Sequence, residues 1–313
     1  FIASGLGCAL TSSYMVPKLV FYILGGIAAG MVYPPLMAWL NQGQNGAAAR
    51  RHVSRTLIRF CLAWNLGLIS GQLSGGMFFT FDSRLPLFVA AVLSFLNFCI
   101  IQRIEGGTAL PIEIDNAEIE RDAHRELSGR FARISWLANL GGAFTTGMVL
   151  HLFPDLMVEL GIRPENHGAM LAVMRVTTIV TYFLMHHVTF WHHRFYATLT
   201  PQIIGLGGLL LLVTSTTQSG LTIGLGGFGL LLGFNYFASL YYSTTGSHDQ
   251  NKGLASGIHE ATLGLGVAAG SLFGGLAGAA MGARAPYRFA MVVLVTVILI
   301  QTYVFLRGRR KGA

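Results

Sequence analysis

Nine long stretches of this 313-residue sequence contain almost no charged side chains. A helix of about 20 apolar residues crosses the hydrocarbon core of a bilayer, because every backbone N–H and C=O is then paired inside the helix. Each stretch is long enough for one crossing, whereas a further apolar segment at 1–13 is too short. The predicted spans are 18–40, 56–79, 85–102, 134–153, 169–188, 195–214, 221–242, 254–280 and 286–306.

The composition argues against a soluble enzyme, a disordered chain and a fibrous protein. Charged residues make up 11% of the sequence, where a soluble domain has about 25%, and 53% of the residues are apolar. The 40 glycines do not follow the three-residue period of collagen. Cys8, Cys61 and Cys99 lie singly in apolar stretches, which indicates neither a disulfide framework nor a zinc site. We therefore expect an all-α integral membrane protein.

The basic residues predict how the chain is oriented. Of the 21 Lys and Arg residues, 14 lie at one set of span ends, 5 lie at the other, and Arg59 and Arg175 lie inside spans. Cytoplasmic loops are enriched in Lys and Arg, so the richer side, with the polar segment 103–133 and the C-terminus, is predicted to be cytoplasmic. Charges placed between spans report topology, and we expect no nucleic-acid partner.

Two neighbouring spans recur about 200 residues later in the sequence, which indicates an internal repeat. Residues 66–76 match 265–275 at six of 11 positions with an offset of 199, and 26–33 match 229–236 more loosely at 203. Glycines four residues apart form a smooth stripe on which helices pack closely, either statically or while sliding past each other. The predicted helix-packing glycines are Gly67, Gly71, Gly75, Gly266, Gly270 and Gly274.

The repeat also predicts that residues are missing in front of Phe1. The second half begins near residue 134 and has six spans. The same offset places the start of the first half roughly 65–70 residues upstream of Phe1, which is room for two more spans. The sequence also opens without Met, in an apolar segment that reads as the middle of a helix. We therefore expect six plus six spans around a polar central linker.

Three local patterns carry a resemblance to a known family. They are the GxxxGxxxGG runs at 67–76 and 266–275, the run Pro34-Pro35-Leu36-Met37-Ala38-Trp39, and the segment His259 to Gly266. With the 6+6 layout, they resemble bacterial members of the major facilitator superfamily of secondary transporters. The resemblance implies two six-helix bundles related by a pseudo-twofold axis, with the first two helices and part of the third absent. It assigns 1–102 to the N-terminal bundle, 103–133 to a cytoplasmic linker and 134–313 to the C-terminal bundle.

The resemblance further implies what the protein does. It implies a monomer in a bacterial inner membrane that moves a small solute by alternating access, coupled to a proton or a sodium ion. It implies no cofactor and no enzymatic activity. Gln72 stands where the family's antiporter motif has proline, and Phe21, Tyr22 and Ile23 occupy the region of an expected Arg. These departures argue against proton antiport, and the sequence leaves the choice between symport, antiport and uniport open.

Charged side chains inside spans are the first candidates for a functional site. Each costs at least roughly 2.5–3.5 kcal/mol at the centre of a membrane helix and therefore needs a compensating role. Arg59, His259 and Glu260 are candidate gate or coupling residues, although Arg59 can also snorkel to the interface and Glu260 can also form a structural gate salt bridge. Arg175 lies deeper, and it either binds an anionic solute or belongs to a structural ion pair.

Polar and aromatic residues within the spans are candidates for the lining of a solute cavity. A buried Asn that faced lipid would be costly, so these side chains are expected to face inward. The alternative for each of them is a hydrogen bond between helices. The candidates, in addition to Arg175, are Trp64, Asn65, Asn139, Asn235 and Tyr236.

A His-rich segment suggests a different class of function. His186, His187, His192 and His193 resemble part of the His boxes of membrane di-iron desaturases and hydroxylases. Such enzymes need about eight clustered His side chains to surround two irons, and only one cluster occurs here. We therefore expect no metal site, and the simpler interpretation is a loop at the membrane interface. A solute sensor of the same fold that does not transport is a third alternative.

Overall fold

A computed structural model describes the backbone of residues 1–40, 47–103, 118–163, 165–247 and 251–310. Within these ranges the regular structure is helical and contains no strand, which confirms the predicted all-α class. The α-helices in the described ranges are α1 (Ile2–Leu10), α2 (Met15–Leu40), α3 (Ala47–Phe81), α4 (Leu85–Arg103), α5 (Glu118–Glu159), α6 (Glu165–His187), α7 (Phe195–Thr214), α8 (Gln218–Thr245), α9 (Lys252–Met281) and α10 (Ala285–Arg310).

Each predicted span coincides with one of the helices α2 to α10, and the short segment at 1–13 contains α1. Among the described residues, seven of these helices contain a stretch long and apolar enough to cross a membrane. The other two, α3 and α5, are longer helices with polar residues inside the predicted span, such as Asn65 and Gln72 in α3 and Asn139 and His151 in α5. The chain is a multi-pass membrane protein.

The described chain divides into two compact units, and the boundary between them passes through α3. The first unit contains α1, α2, α4 and the part of α3 from Leu68 onwards, and the second contains α3 up to Gly67 and α5 to α10. The bundle boundaries at 1–102 and 134–313 stay predictions. Residues 104–117 of the predicted linker lie outside the described part of the chain, and α5 already begins at Glu118.

In the first unit, α1 packs against α2 and α4. Small residues of α1 allow this approach, because a Cβ added at Gly5 would lie 3.2 Å from the Cβ of Ala91 in α4. The hydroxyl of Ser4 donates a hydrogen bond of 2.7 Å to the carbonyl of Phe21 in α2. Polar and small side chains thus hold the short helix in place.

The second unit is built around α8, which packs against α5, α6, α7 and α9. Every residue of α8 from Leu231 to Thr244 is buried. Towards the start of α8, the unit has an apolar core in which Met148, Phe153 and Phe228 are fully buried. Burial of such side chains contributes roughly 1.5–3 kcal/mol each when water is the alternative. Towards the end of α8 the interior is polar and aromatic instead, and the candidates Asn235, Tyr236 and His259 lie there.

Two buried glutamines join three helices of the second unit. Gln202 in α7 donates from Nε2 to Oε1 of Gln301 in α10 at 2.9 Å. Gln301 in turn donates from Nε2 to the carbonyl of Ile134 in α5, also at 2.9 Å. Both glutamines are fully buried. An interior hydrogen bond of this kind fixes the relative rotation of α5, α7 and α10.

Replacing Gln301 by Leu is expected to lower the free energy of unfolding by about 1 kcal/mol, because it leaves the amide of Gln202 with one partner fewer. Reversible SDS unfolding in mixed micelles measures this change. Thr296→Val on the same helix is the matched control, since the hydroxyl of Thr296 is exposed and bonds only the carbonyl of Val292. An equal loss of stability in both variants would contradict an inter-helix role for Gln301.

Candidate functional site

Polar side chains of α5, α8 and α9, four of them buried and Thr262 half-buried, lie together in the second unit, and we call this group the polar cluster: Asn139, Asn235, Ser239, His259 and Thr262. Asn139 donates from Nδ2 to the hydroxyl oxygen of Thr262 at 3.0 Å and makes a longer contact of 3.4 Å with the carbonyl of His259. Asn235 donates from Nδ2 to the carbonyl of Ala138 at 3.0 Å. The three helices are therefore tied together at this level.

His259 has no exposed surface, like its neighbour Ser239. Its Nδ1 lies 2.8 Å from the hydroxyl oxygen of Ser239, and its ring lies 4.9 Å from the ring of Tyr236 in an edge-on arrangement. Its Nε2 lies 3.8 Å from Oε1 of Glu260, whose side chain is 15% exposed. Among the described residues this nitrogen has no hydrogen-bond partner. The two groups are therefore within ion-pair distance but too far apart for a direct hydrogen bond.

The polar cluster continues towards the end of α8 through residues that the sequence analysis missed. Ser243 donates to the carbonyl of Ser239 and receives a hydrogen bond from Nε1 of Trp136, each at 2.7 Å. The signal was present in the sequence, because Asn235, Ser239 and Ser243 are spaced by four residues and so share one helix face. Thr262, three residues after His259, could have been found in the same way.

Arg175 and Tyr182 on α6 lie seven residues apart, which places them on one face two turns from each other. Arg175 is 7% exposed and Tyr182 is 3% exposed, and the two side chains interact electrostatically. Within the described chain, Nε of Arg175 has no hydrogen-bond partner and no carboxylate forms an ion pair with this residue. The ring of Tyr182 lies 6.4 Å from that of Tyr236, which connects this face of α6 to the polar cluster.

The three candidates on α3 differ in their surroundings. Asn65 is 2% exposed, donates from Nδ2 to the carbonyl of Cys61 at 2.9 Å, and interacts with Tyr182. Trp64 is 36% exposed, and its ring stacks on that of Phe60 at 6.3 Å. Arg59 is exposed. The structure therefore brings Asn65 to the Arg175 face and leaves Arg59 and Trp64 at the surface of the described chain.

The glycines of the two repeat copies have different neighbours. Gly266, Gly270 and Gly274 lie against α5, where an added Cβ at Gly266 would be 2.7 Å from the carbonyl oxygen of Leu140 and one at Gly274 would be 2.6 Å from Leu152. In the looser repeat, a Cβ at Gly233 would be 2.9 Å from the carbonyl oxygen of Thr178 in α6. The corresponding glycines of the first copy meet no heavy atom within 4 Å in the described part of the chain: Gly26, Gly30, Gly67, Gly71 and Gly75.

The loop between α6 and α7 folds onto the end of α8 as an aromatic layer. Trp191 is 2% exposed, donates from Nε1 to the carbonyl of Met185 at 2.9 Å, and packs edge-on against Tyr241 and Tyr242. His193 has a positive φ of 55° and donates from its backbone N–H to the hydroxyl of Tyr242 at 2.7 Å. The loop is therefore packed onto the unit, with the ring of Trp191 buried in the protein.

The histidines of this region take part in separate contacts. His192 stacks on the ring of Tyr241 at 4.8 Å, and Nε2 of His193 lies 2.9 Å from the hydroxyl oxygen of Ser128. His187 contacts the carbonyl of Phe183 through Nδ1 at 2.9 Å. In the described ranges, no three His, Cys, Asp or Glu side chains are placed so that they could hold one metal ion. The geometry therefore gives no support to the metalloenzyme alternative.

Comparison with known proteins gives a match of structure without a match of sequence. No protein-family model matches the chain, and no curated protein sequence does. Solved structures with the same arrangement of helices include the crystal structure of the human organic anion transporter MFSD10 (TETRAN), with a TM-score of 0.61 and 14% sequence identity. The match covers 96% of this chain and 76% of that one. The chain therefore has the fold of the major facilitator superfamily of transporters.

Proposed function

We propose that the protein is a secondary active transporter that moves a small anionic solute across the membrane by alternating access. The observation that carries the proposal is the buried guanidinium of Arg175, which has no protein anion as its partner in the described chain. A charge inside a membrane helix is retained when it faces a partner or a pathway. A carboxylate or phosphate on the solute is a fitting partner, because a guanidinium binds both with two parallel hydrogen bonds.

The neighbours of Arg175 suit the same ligand. Tyr182 and Asn65 supply further polar groups beside it, and Tyr236 on the neighbouring helix α8 lies with its ring 6.4 Å from that of Tyr182. Solute sites in such folds combine an apolar lining with a few polar groups that fix orientation. The solved neighbour of the same fold is named as an organic anion transporter, which agrees with this choice of solute class.

The proposal is tested with the full-length protein in two steps. Carboxylates, sulfonates and phosphates, each with a neutral amide or alcohol of similar shape, are first screened for thermal stabilisation. The anion that stabilises most is then followed by counterflow into proteoliposomes. We expect saturable counterflow of an anion that its neutral counterpart does not inhibit. Binding without flux would favour the sensor alternative, and stoichiometric iron in the purified protein would favour the metalloenzyme.

We further propose that His259 and Glu260 form the coupling or gate element. They are adjacent in sequence, His259 is fully buried and the side chain of Glu260 is 15% exposed, and Nε2 and Oε1 lie 3.8 Å apart, which is ion-pair distance when His259 is protonated. Glu260→Gln keeps the shape and removes the charge. We expect it to abolish accumulation driven by an imposed pH gradient while leaving counterflow within roughly threefold of wild type, since proton transfer is then needed only for net uphill movement. Loss of counterflow as well would assign Glu260 to solute binding or to a structural salt bridge.

We infer the setting of the protein from the sequence. The distribution of Lys and Arg favours a cytoplasmic C-terminus, and the family resemblance favours a monomer in a bacterial inner membrane. Cysteine labelling tests the orientation: a single cysteine introduced at Gly308, near the end of α10, is expected to react in inverted vesicles and to be protected in intact cells. Labelling in intact cells would reverse the predicted topology.

A further inference from the structure

A cavity of about 530 Å³ lies between α5 and α10, away from the polar cluster. Its walls come from residues 126–134 of α5 and 303–308 of α10. These stretches lie at the ends of the predicted spans 134–153 and 286–306, on the side with more basic residues. The predicted topology places such a cavity at the depth of the cytoplasmic lipid headgroups. Its volume is in the range of pockets that bind small organic ligands.

The polar wall of the cavity has a net positive charge. Arg130, Arg133 and Arg307 line it together with a single carboxylate, that of Glu126. Glu126 is already engaged, because it forms an ion pair of 2.7 Å with Arg130. In the described part of the chain, Arg133 and Arg307 form no ion pair and no side-chain hydrogen bond. Two guanidinium groups from different helices are therefore available to one ligand.

The other wall of the cavity is apolar and aromatic. Phe131 and Phe305 pack edge-on with their ring centres 6.3 Å apart, and Phe305 stacks on Phe195 at 4.3 Å, so this wall is rigid. Tyr303, which also lines the cavity, is 62% exposed. An exposed tyrosine near the end of a span is typical of the aromatic belt, where an apolar ring faces the acyl region and its hydroxyl faces the headgroups. The cavity thus combines a charged rim with an apolar wall.

We propose that this cavity is a binding site for one anionic phospholipid of the cytoplasmic leaflet, with its phosphate between Arg133 and Arg307 and its glycerol and first methylenes against Phe131 and Phe305. Basic pockets between membrane helices on the cytoplasmic side suit lipid phosphates, because the charge is held where the headgroup lies. A guanidinium from each helix would also fix α5 to α10 at this end of the second unit. The proposal does not depend on which solute is transported.

Native mass spectrometry of the detergent-purified protein tests the site, with dioctanoyl phosphatidylglycerol as the anionic probe and dioctanoyl phosphatidylcholine as the zwitterionic one. We expect phosphatidylglycerol to bind at least about 10-fold more tightly than phosphatidylcholine. In the variant R133Q/R307Q the affinity for phosphatidylglycerol is expected to fall roughly 30-fold, since each basic residue near the surface contributes a factor of about five. No preference in the wild type, or no loss in the variant, would overturn the proposal.

The control variant R84Q/R288Q removes the same charge from exposed Arg residues at the other end of the spans. It is expected to bind phosphatidylglycerol with the affinity of the wild type. If it lost as much affinity as R133Q/R307Q, the effect would come from the net charge of the protein and not from this cavity. If R133Q/R307Q does not fold, R307Q alone, with an expected loss of about fivefold, keeps the test decisive. Competition with millimolar glycerol 3-phosphate separates the sources of phosphate: displacement of the lipid would identify a site for a soluble phosphate and overturn the lipid assignment.

Discussion

Replacing Arg175 by Gln is expected to raise the KM for counterflow of the anionic solute roughly 10- to 100-fold, because a hydrogen bond to a charged group is worth about 1.5–3 kcal/mol. The same variant is expected to unfold at equal or higher SDS concentration than the wild type. Arg175 is 7% exposed and, in the described chain, its Nε has no partner, so an uncharged side chain there relieves a cost. Counterflow in proteoliposomes and SDS unfolding measure the two effects.

This combination separates solute binding from a structural role. If Arg175 were one half of a structural ion pair, Arg175→Gln would leave a buried partner uncompensated and would destabilise the protein. Arg175→Lys keeps the charge but loses the planar fork, and we expect it to lie between wild type and Arg175→Gln in KM. Arg288→Gln, at an exposed position of α10, is the matched control and should change neither quantity. A wild-type KM in Arg175→Gln would exclude this residue from the solute site.

The helices were predictable from the sequence because their cause is local. A run of about 20 apolar residues can pair all its backbone N–H and C=O groups in lipid only as a helix. This condition depends on each segment alone, so each helix can be predicted separately. In the described chain all nine predicted spans are therefore helical, seven of those helices are long and apolar enough to cross a membrane, and the all-α class was correct. The boundary inside α3 was not anticipated, because it depends on which helix the residues up to Gly67 pack against.

The sequence predicted that polar residues within the spans would meet in the interior, but it identified only some of the residues that do. Asn139, Asn235, Tyr236 and His259 were selected because polar residues in spans need partners, and the structure joins them through α5, α8 and α9. Ser239 was missed, since a serine within a membrane helix can satisfy itself on its own backbone. Only the approach of α9 shows that its hydroxyl lies next to the imidazole of His259. Which side chains of two helices form a hydrogen bond depends on how the helices pack, and the sequence of one helix does not determine it.

Replacing Gly270 by Ala is expected to lower the free energy of unfolding by about 2–3 kcal/mol, the upper range for an overpacked interior. An added Cβ at this position would overlap the backbone of Phe144, lying 2.7 Å from its carbonyl carbon and 3.0 Å from its Cα. A backbone cannot rotate away as a side chain can, so α9 has to move away from α5. That movement also separates Asn139 from Thr262 and weakens the polar cluster. SDS unfolding in mixed micelles measures the loss.

Two matched glycines test whether the effect arises from contact with α5 or from glycine itself. Gly275→Ala lies on the same helix, and Gly71→Ala occupies the equivalent position of the first repeat copy; in the described chain neither added Cβ meets a heavy atom within 4 Å. Both are expected to leave stability within about 0.5 kcal/mol or to raise it, since Ala is the better helix former. A loss at Gly71 equal to that at Gly270 would mean that both glycine stripes pack against a neighbour, as the sequence repeat alone suggests. A loss confined to Gly270 would show that close packing distinguishes the second copy from the first.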